Sequence, residues 1–124
     1  MTTLVTPQTD RATALSKAVV RIAEFWALSN SKLGAILGLS GLRISRLKRG
    51  TSKLDPASKS FEAGQFLLRL FRSLDALLAS DDAAARRWLD TVNLDLAAKP
   101  IDKLDTMRGL IEVSDYVDFH RARV

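Results

Sequence analysis

The stretch SKLGAILGLSGLRISRLKRG, Ser31 to Gly50, sets two short apolar-periodic segments about a glycine and loads the second with arginine and lysine. Leu33 and Leu37 lie one helical turn apart in the first segment, and Leu39, Ile44 and Leu47 form the apolar set of the second. Gly34 is small where two helices would cross, and Gly38 stands where a tight turn needs left-handed backbone freedom. Ser40 is placed to cap the second helix, which the spacing predicts over about residues 41–49. A tight turn, a small crossing residue and a fixed apolar interface are the requirements of a DNA-reading helix pair. The alternative for the same pattern is an ordinary helical hairpin with a solvated basic face.

The second helix turns Leu42, Arg43, Ser45, Arg46 and Arg49 outward. Arg43 or Arg46 has the fork geometry for a bidentate contact to guanine, worth about 1–3 kcal/mol of discrimination, and Leu42 suits a thymine methyl group. Lys48, Arg49, Lys53 and Lys59 are placed for phosphates, each adding about one unit to the salt slope. The candidate DNA-binding set is thus Ser40, Leu42, Arg43, Ser45, Arg46, Lys48, Arg49 and Lys53. Charge along the chain agrees with this. Residues 1–72 hold twelve Lys and Arg against four Asp and Glu, whereas residues 73–124 hold seven against ten, giving +8 and −3. The first part suits a polyanion and the second does not.

At 124 residues the chain is long enough for one compact core and short for two independent ones. It has no cysteine, which excludes disulfides and cysteine-based zinc sites and fits a reducing cytoplasm, the expected location. MTTLVTPQTD lacks the pattern of a secretory leader, and no uncharged apolar run is long enough to cross a bilayer, so no membrane partner is expected.

The remaining pattern is helical, which predicts an all-α fold: a helix-turn-helix bundle followed by a small helical subdomain. From Asp10, read as an N-cap, Leu15, Ala18, Val19, Ile22 and Trp26 recur at helical spacing, after a flexible N-terminus over residues 1–10. Ser29-Asn30-Ser31 ends this helix and caps the next. Pro56 reads as the start of a long amphipathic helix carrying Phe61, Leu67, Leu70, Phe71, Leu74, Leu77 and Leu78, a spine between a domain over residues 11–72 and another over 73–124. Ser80-Asp81-Asp82 caps a helix that buries Trp88 and Leu89. Pro100 leads a short helix over about residues 101–107, ended by Gly109 as a left-handed residue, before a last helix with Leu110, Val113 and Val117 inward and Glu112, Asp115 and Asp118 outward.

Catalysis has little support in this pattern, and no enzymatic activity is expected. His120 is the only histidine, within one turn of Asp118, with no cysteine nucleophile to join it. Asp102 with Asp105, and Asp115 with Asp118, are helical neighbours without the further ligands that a metal site needs. Trp26 and Trp88 fall at apolar helical positions and read as core. No metal and no cofactor is implied.

The stretch from Ser31 to Gly50 resembles the helix-turn-helix domain of Xre-type regulators, repressors that bind operator DNA as symmetric dimers. The later stretch WLDTVNLDLAAKPIDKLDTMRGLIEVSDYV resembles the toxin-binding domain of the Xre/MbcA/ParS antitoxin family, on Trp88, Leu89, Asn93, Leu96, Pro100, Ile101, Leu104, Gly109, Val113 and Val117. RGLIEV departs from the more polar residues that often follow the family's glycine. The resemblance implies a type II antitoxin that neutralises a RES-fold toxin, an enzyme that consumes NAD or modifies proteins with its ADP-ribose, by covering the entrance to its active site. It also implies repression of the antitoxin's own operon, with a homodimer or a toxin–antitoxin hetero-oligomer as the assembly. The NAD would be the toxin's substrate and no cofactor of this chain. Lys99, Pro100, Arg108, Gly109, Arg121 and Arg123 are the implied toxin-binding positions. The rival reading is a standalone Xre-like transcriptional regulator whose second half dimerises or senses a ligand.

Overall fold

The computed structural model describes the backbone from residue 7 to residue 122, and side chains from residue 10. Seven helices occupy these residues: α1 (Pro7–Phe25), α2 (Asn30–Leu37), α3 (Gly41–Lys48), α4 (Lys59–Leu77), α5 (Asp82–Leu89), α6 (Pro100–Lys103) and α7 (Met107–Ala122). The only strand-like pairing among them is an isolated bridge between Asn93 and Ala98, so the all-α reading holds. Helix α4 runs through the middle, with α1 and α2 on one side and α7, its most extensive neighbour, on the other. Helices α2 and α3 pack on each other, and α6 bridges α5 and α7. Val19, Ile22, Leu33 and Ile44 from the first half join Leu67, Leu70, Leu74, Leu110, Val113 and Val117 in a single apolar core.

Most helix starts are set locally. The hydroxyls of Ser29 and Ser40 accept the amide protons of Lys32 (3.0 Å) and Arg43 (3.2 Å), and the Asp81 carboxylate accepts that of Ala84 (3.0 Å). Three starts differ from the sequence reading. Helix α1 begins at Pro7, so Asp10 lies within its first turn, where a carboxylate suits the helix dipole, and does not cap it. Residues 7–10 are therefore helical, and residues 1–6 of the expected flexible segment lie outside the described residues.

Pro56 does not start α4. It occupies a turn in which the Asp55 carbonyl accepts from the Ser58 amide (2.9 Å) and hydroxyl (2.7 Å), and the Asp55 carboxylate accepts from Ala57 N (3.0 Å). Ser58 is the cap, because its oxygen reaches the Phe61 amide at 3.1 Å.

The third difference concerns Gly109. Helix α6 stops at Lys103 and α7 starts at Met107, so Gly109 lies inside the first turn of α7, with no positive φ. A Cβ there would lie 1.8 Å from the Lys103 carbonyl oxygen and 2.8 Å from its carbon. The glycine is required by close approach of backbone to backbone, while Thr106 Oγ1 accepts the Gly109 amide proton at 3.0 Å.

Polar ties add to the apolar core between the two halves. Arg69 of α4 donates from Nε to Asp118 Oδ2 (2.9 Å) and from Nη2 to Asp115 Oδ1 (3.3 Å), and the buried Ser73 hydroxyl donates to the other Asp118 oxygen. Partial burial opposes ionisation of Asp118, but the Ser73 hydrogen bond and the Arg69 and Arg121 guanidinium groups outweigh it and hold the carboxyl below the ordinary carboxylate value. Lys32 of α2 donates to Asp105 in the α6–α7 turn (2.7 Å), and Arg86 of α5 donates to the Phe25 carbonyl (2.8 Å).

Two predictions follow from these contacts. Gly109→Ala should destabilise the fold by more than about 2 kcal/mol in chemical denaturation, whereas Gly41→Ala, at an exposed site with nothing within 4 Å of a new Cβ, should be neutral or slightly stabilising. Asp118→Asn should lower stability near pH 7 by about 1 kcal/mol. Because the folded-state pKa of Asp118 lies below its unfolded value of 3.8, this contribution is present above that pH and fades as pH falls through the folded value. The gap in melting temperature between wild type and variant should therefore narrow in acid below about pH 4.

Candidate functional site

Two local features set the angle between α2 and α3. Gly38 ends α2 in the left-handed region (φ 71°), which reverses the chain in a single residue. Gly34 faces the returning backbone: a Cβ there would meet the Leu39 carbonyl oxygen at 2.5 Å, so only glycine lets the turn lie directly on α2. Ile44 and Leu47 are buried and lock α3 onto this platform.

With those two residues inward, the 100° step of the helix places Leu42, Ser45, Arg46 and Arg49 in one outward stripe. Leu42, Arg46 and Arg49 are exposed and Ser45 is half-buried; Arg43 and Lys48 lie on opposite flanks of the stripe. Ser40 holds the start of the helix with its hydroxyl, and Arg49 is its C-terminal cap. The Lys48 ammonium donates to the Asn30 side chain on α2. Lys53 and Lys59 are exposed on the segment that follows and at the start of α4. The eight candidate DNA-binding residues thus lie along one helix and the segment leading out of it.

Sequence reasoning missed what holds that segment. Ser16, buried in α1, donates to the Ala12 carbonyl (2.6 Å) and accepts from the Leu54 amide (2.9 Å), which satisfies a buried loop N–H. The available signal was its position, since residues 12, 16, 19, 23 and 26 share the inward face of a helix. Also missed were Lys17 and Arg21, which line a groove between α1 and the end of α3 together with Lys48, Arg49 and Lys53. The basic surface is therefore broader than α3.

The six candidate partner-binding residues of the second half do not form one patch. Pro100 is buried at the first position of α6, and Gly109 is buried against the Lys103 carbonyl, so both work within the fold. Arg108 is exposed in the first turn of α7 and Arg121 in its last, about 20 Å apart along the axis. Lys99 pairs with Asp90 at 3.5 Å. Arg123 lies outside the described residues. Leu89 is buried as expected, but Trp88 is only half-buried. Asn93 stabilises the turn after α5 by accepting the Leu96 amide proton at 3.1 Å.

His120 and Asp118 point to opposite flanks of α7, the one against Tyr116 (ring centroids 4.4 Å) and the other against Arg69 and Ser73. Asp105 is engaged by Lys32. Trp26 is buried against Phe71, with ring centroids 5.5 Å apart. Among the described residues, no three His, Cys, Asp or Glu side chains are grouped to hold a metal ion, and no helix is long and apolar enough to cross a membrane.

Comparison with known proteins divides the chain at the same long helix. Residues 7–72 match the antitoxin Xre-like helix-turn-helix domain, and residues 73–123 match the antitoxin Xre/MbcA/ParS C-terminal toxin-binding domain. No curated protein matches the chain. The junction of the two matches falls inside α4, which contributes to both halves of the core. A helix pair built on Gly34 and Gly38, joined through one shared helix to a second helical unit, places this chain in the Xre/MbcA/ParS family of Xre-like antitoxins.

Proposed function

We propose that the chain neutralises a RES-fold toxin, a NAD-consuming or ADP-ribosylating enzyme, by covering the entrance to its active site with the second half of the fold. The first half reads operator DNA and represses the operon that encodes the pair. The working assembly is a toxin–antitoxin hetero-oligomer or an antitoxin homodimer in the cytoplasm. The single observation that supports this reading most is the order of the two family matches on one chain, with the basic stripe on the first and the acidic balance on the second.

Chemistry assigns the roles. Arg46 and Arg43 supply planar donor forks for base edges, Leu42 supplies an apolar contact for a thymine methyl, and Ser40 and Ser45 supply short hydroxyl groups at the start and along the stripe. Lys48, Arg49 and Lys53 neutralise phosphates. In the second half, Lys99, Arg108 and Arg121 would supply basic contacts to the toxin.

Co-expression tests the first claim: growth arrest caused by a RES-fold protein encoded beside this chain should be relieved by the chain. Persistent arrest returns the protein to the class of standalone DNA-binding regulators. For the second claim, Arg46→Ala should weaken operator binding by about 1–3 kcal/mol and leave non-specific DNA binding almost unchanged. Lys53→Ala should weaken both alike and lower the salt slope by about one. Unchanged operator affinity for Arg46→Ala, measured by fluorescence anisotropy, would refute base reading by α3.

A further inference from the structure

Among the described residues, the exposed large hydrophobic side chains are Leu42, Val92, Leu94 and Phe119. Leu42 belongs to the stripe on α3. The other three all lie in the half that matches the toxin-binding domain. Leu94 is 91 % exposed, close to the limit for a side chain attached to ordered backbone. The turn that carries it is well tied: Asn93 N donates to the Ala98 carbonyl (2.9 Å), and the Asn93 side chain accepts the Leu96 amide proton. An apolar side chain held out by a fixed turn gains nothing within the fold, since its burial stabilises only against another surface.

The same turn is joined to a line of rings. The Tyr116 hydroxyl donates to Asp95 Oδ2 at 2.8 Å, which ties the residue next to Leu94 to α7. Trp88 of α5 stacks on Tyr116 (centroids 6.3 Å, planes 24° apart), Tyr116 packs on His120 (4.4 Å), and Phe119 meets His120 edge-on (5.6 Å). Tyr116, Phe119 and His120 stand at positions i, i+3 and i+4 of one helix face. Trp88, Tyr116 and His120 are half-buried and Phe119 is exposed; rings held by one another in this way present large contact area with little rotamer entropy left to lose.

We propose that Leu94 and Val92, with the Trp88–Tyr116–His120–Phe119 line, form the apolar anchor on which the toxin docks. This rests on the reading of the second half as toxin-binding. Asp95 beside the rings and Asp115 on the same helix are exposed, and the half as a whole is acidic. The matching toxin surface is therefore an apolar pocket rimmed by lysine or arginine. The anchor supplies contact area, and Lys99 stands at the end of the same loop, paired with Asp90.

Leu94→Asp and Phe119→Ser alter exposed side chains, and circular dichroism melting should confirm that both variants fold. Affinity is then measured for the RES-fold protein encoded beside this chain, purified as a catalytically disabled variant, by isothermal titration calorimetry, with light scattering of the free antitoxin in parallel. Each substitution should raise Kd by roughly tenfold or more and reduce the rescue of growth. Tight wild-type binding with unchanged variant Kd overturns the anchor and leaves the antitoxin reading standing. A changed oligomeric state of the free chain with unchanged toxin affinity assigns the strip to self-association and also overturns it. Absence of binding by the wild-type chain removes the antitoxin reading and the anchor together.

Discussion

Helix α4 carries apolar side chains over a wide arc, and covering that arc governs the rest of the architecture. Phe61, Ala63, Leu67, Leu70 and Leu74 are all buried, and no single helix could cover them. Helix α1 approaches at Gly64, where a Cβ would touch Leu15, Leu54 and Val19 at 3.2–3.4 Å, and α7 covers the other side. The division between the two family matches therefore falls inside a helix that neither half can give up. Two separate family matches are continuous in packing, and the core is one cluster through both.

Polar contacts define how the halves sit on that helix. The Arg69–Asp118–Ser73 group fixes the last turns of α7 against α4, Lys32 ties α2 to the α6–α7 turn, and Arg86 reaches back to the end of α1. Hydrogen bonds of this kind are directional where apolar contact is not, so they select one orientation from those the core would tolerate. The result presents the basic stripe of α3 on the first half and the Leu94 turn with its rings on the second. Two surfaces of different chemistry are carried on one continuous core.

Much of the first half was legible because its determinants are close in sequence. Gly34, Gly38 and Ser40 act within a few residues of themselves, so spacing alone placed the turn, the cap and the outward stripe of α3. Pro56 misled because a proline after Asp55 suits either a helix start or a turn, and the choice went to the Ser58 hydroxyl that reaches Phe61 N. Gly109 misled for a related reason: a glycine between two helical segments reads as a left-handed end, yet it sits within α7, where the Lys103 carbonyl leaves no room for a Cβ.

The sequence by itself determined the all-α class, the helix-turn-helix with its basic face, the contrast in charge between the halves and the family, because periodicity, capping and charge are local or additive properties. Only the tertiary structure decided which glycine is needed for space, which serine satisfies a buried amide, which carboxylate is held ionised by Ser73 and Arg69, and that Trp88, Tyr116, His120 and Phe119 form one line beside Leu94. Those facts depend on side chains from separate helices meeting at particular distances. Such meetings are set by the packing of α4 between its neighbours, and no run of adjacent residues encodes them.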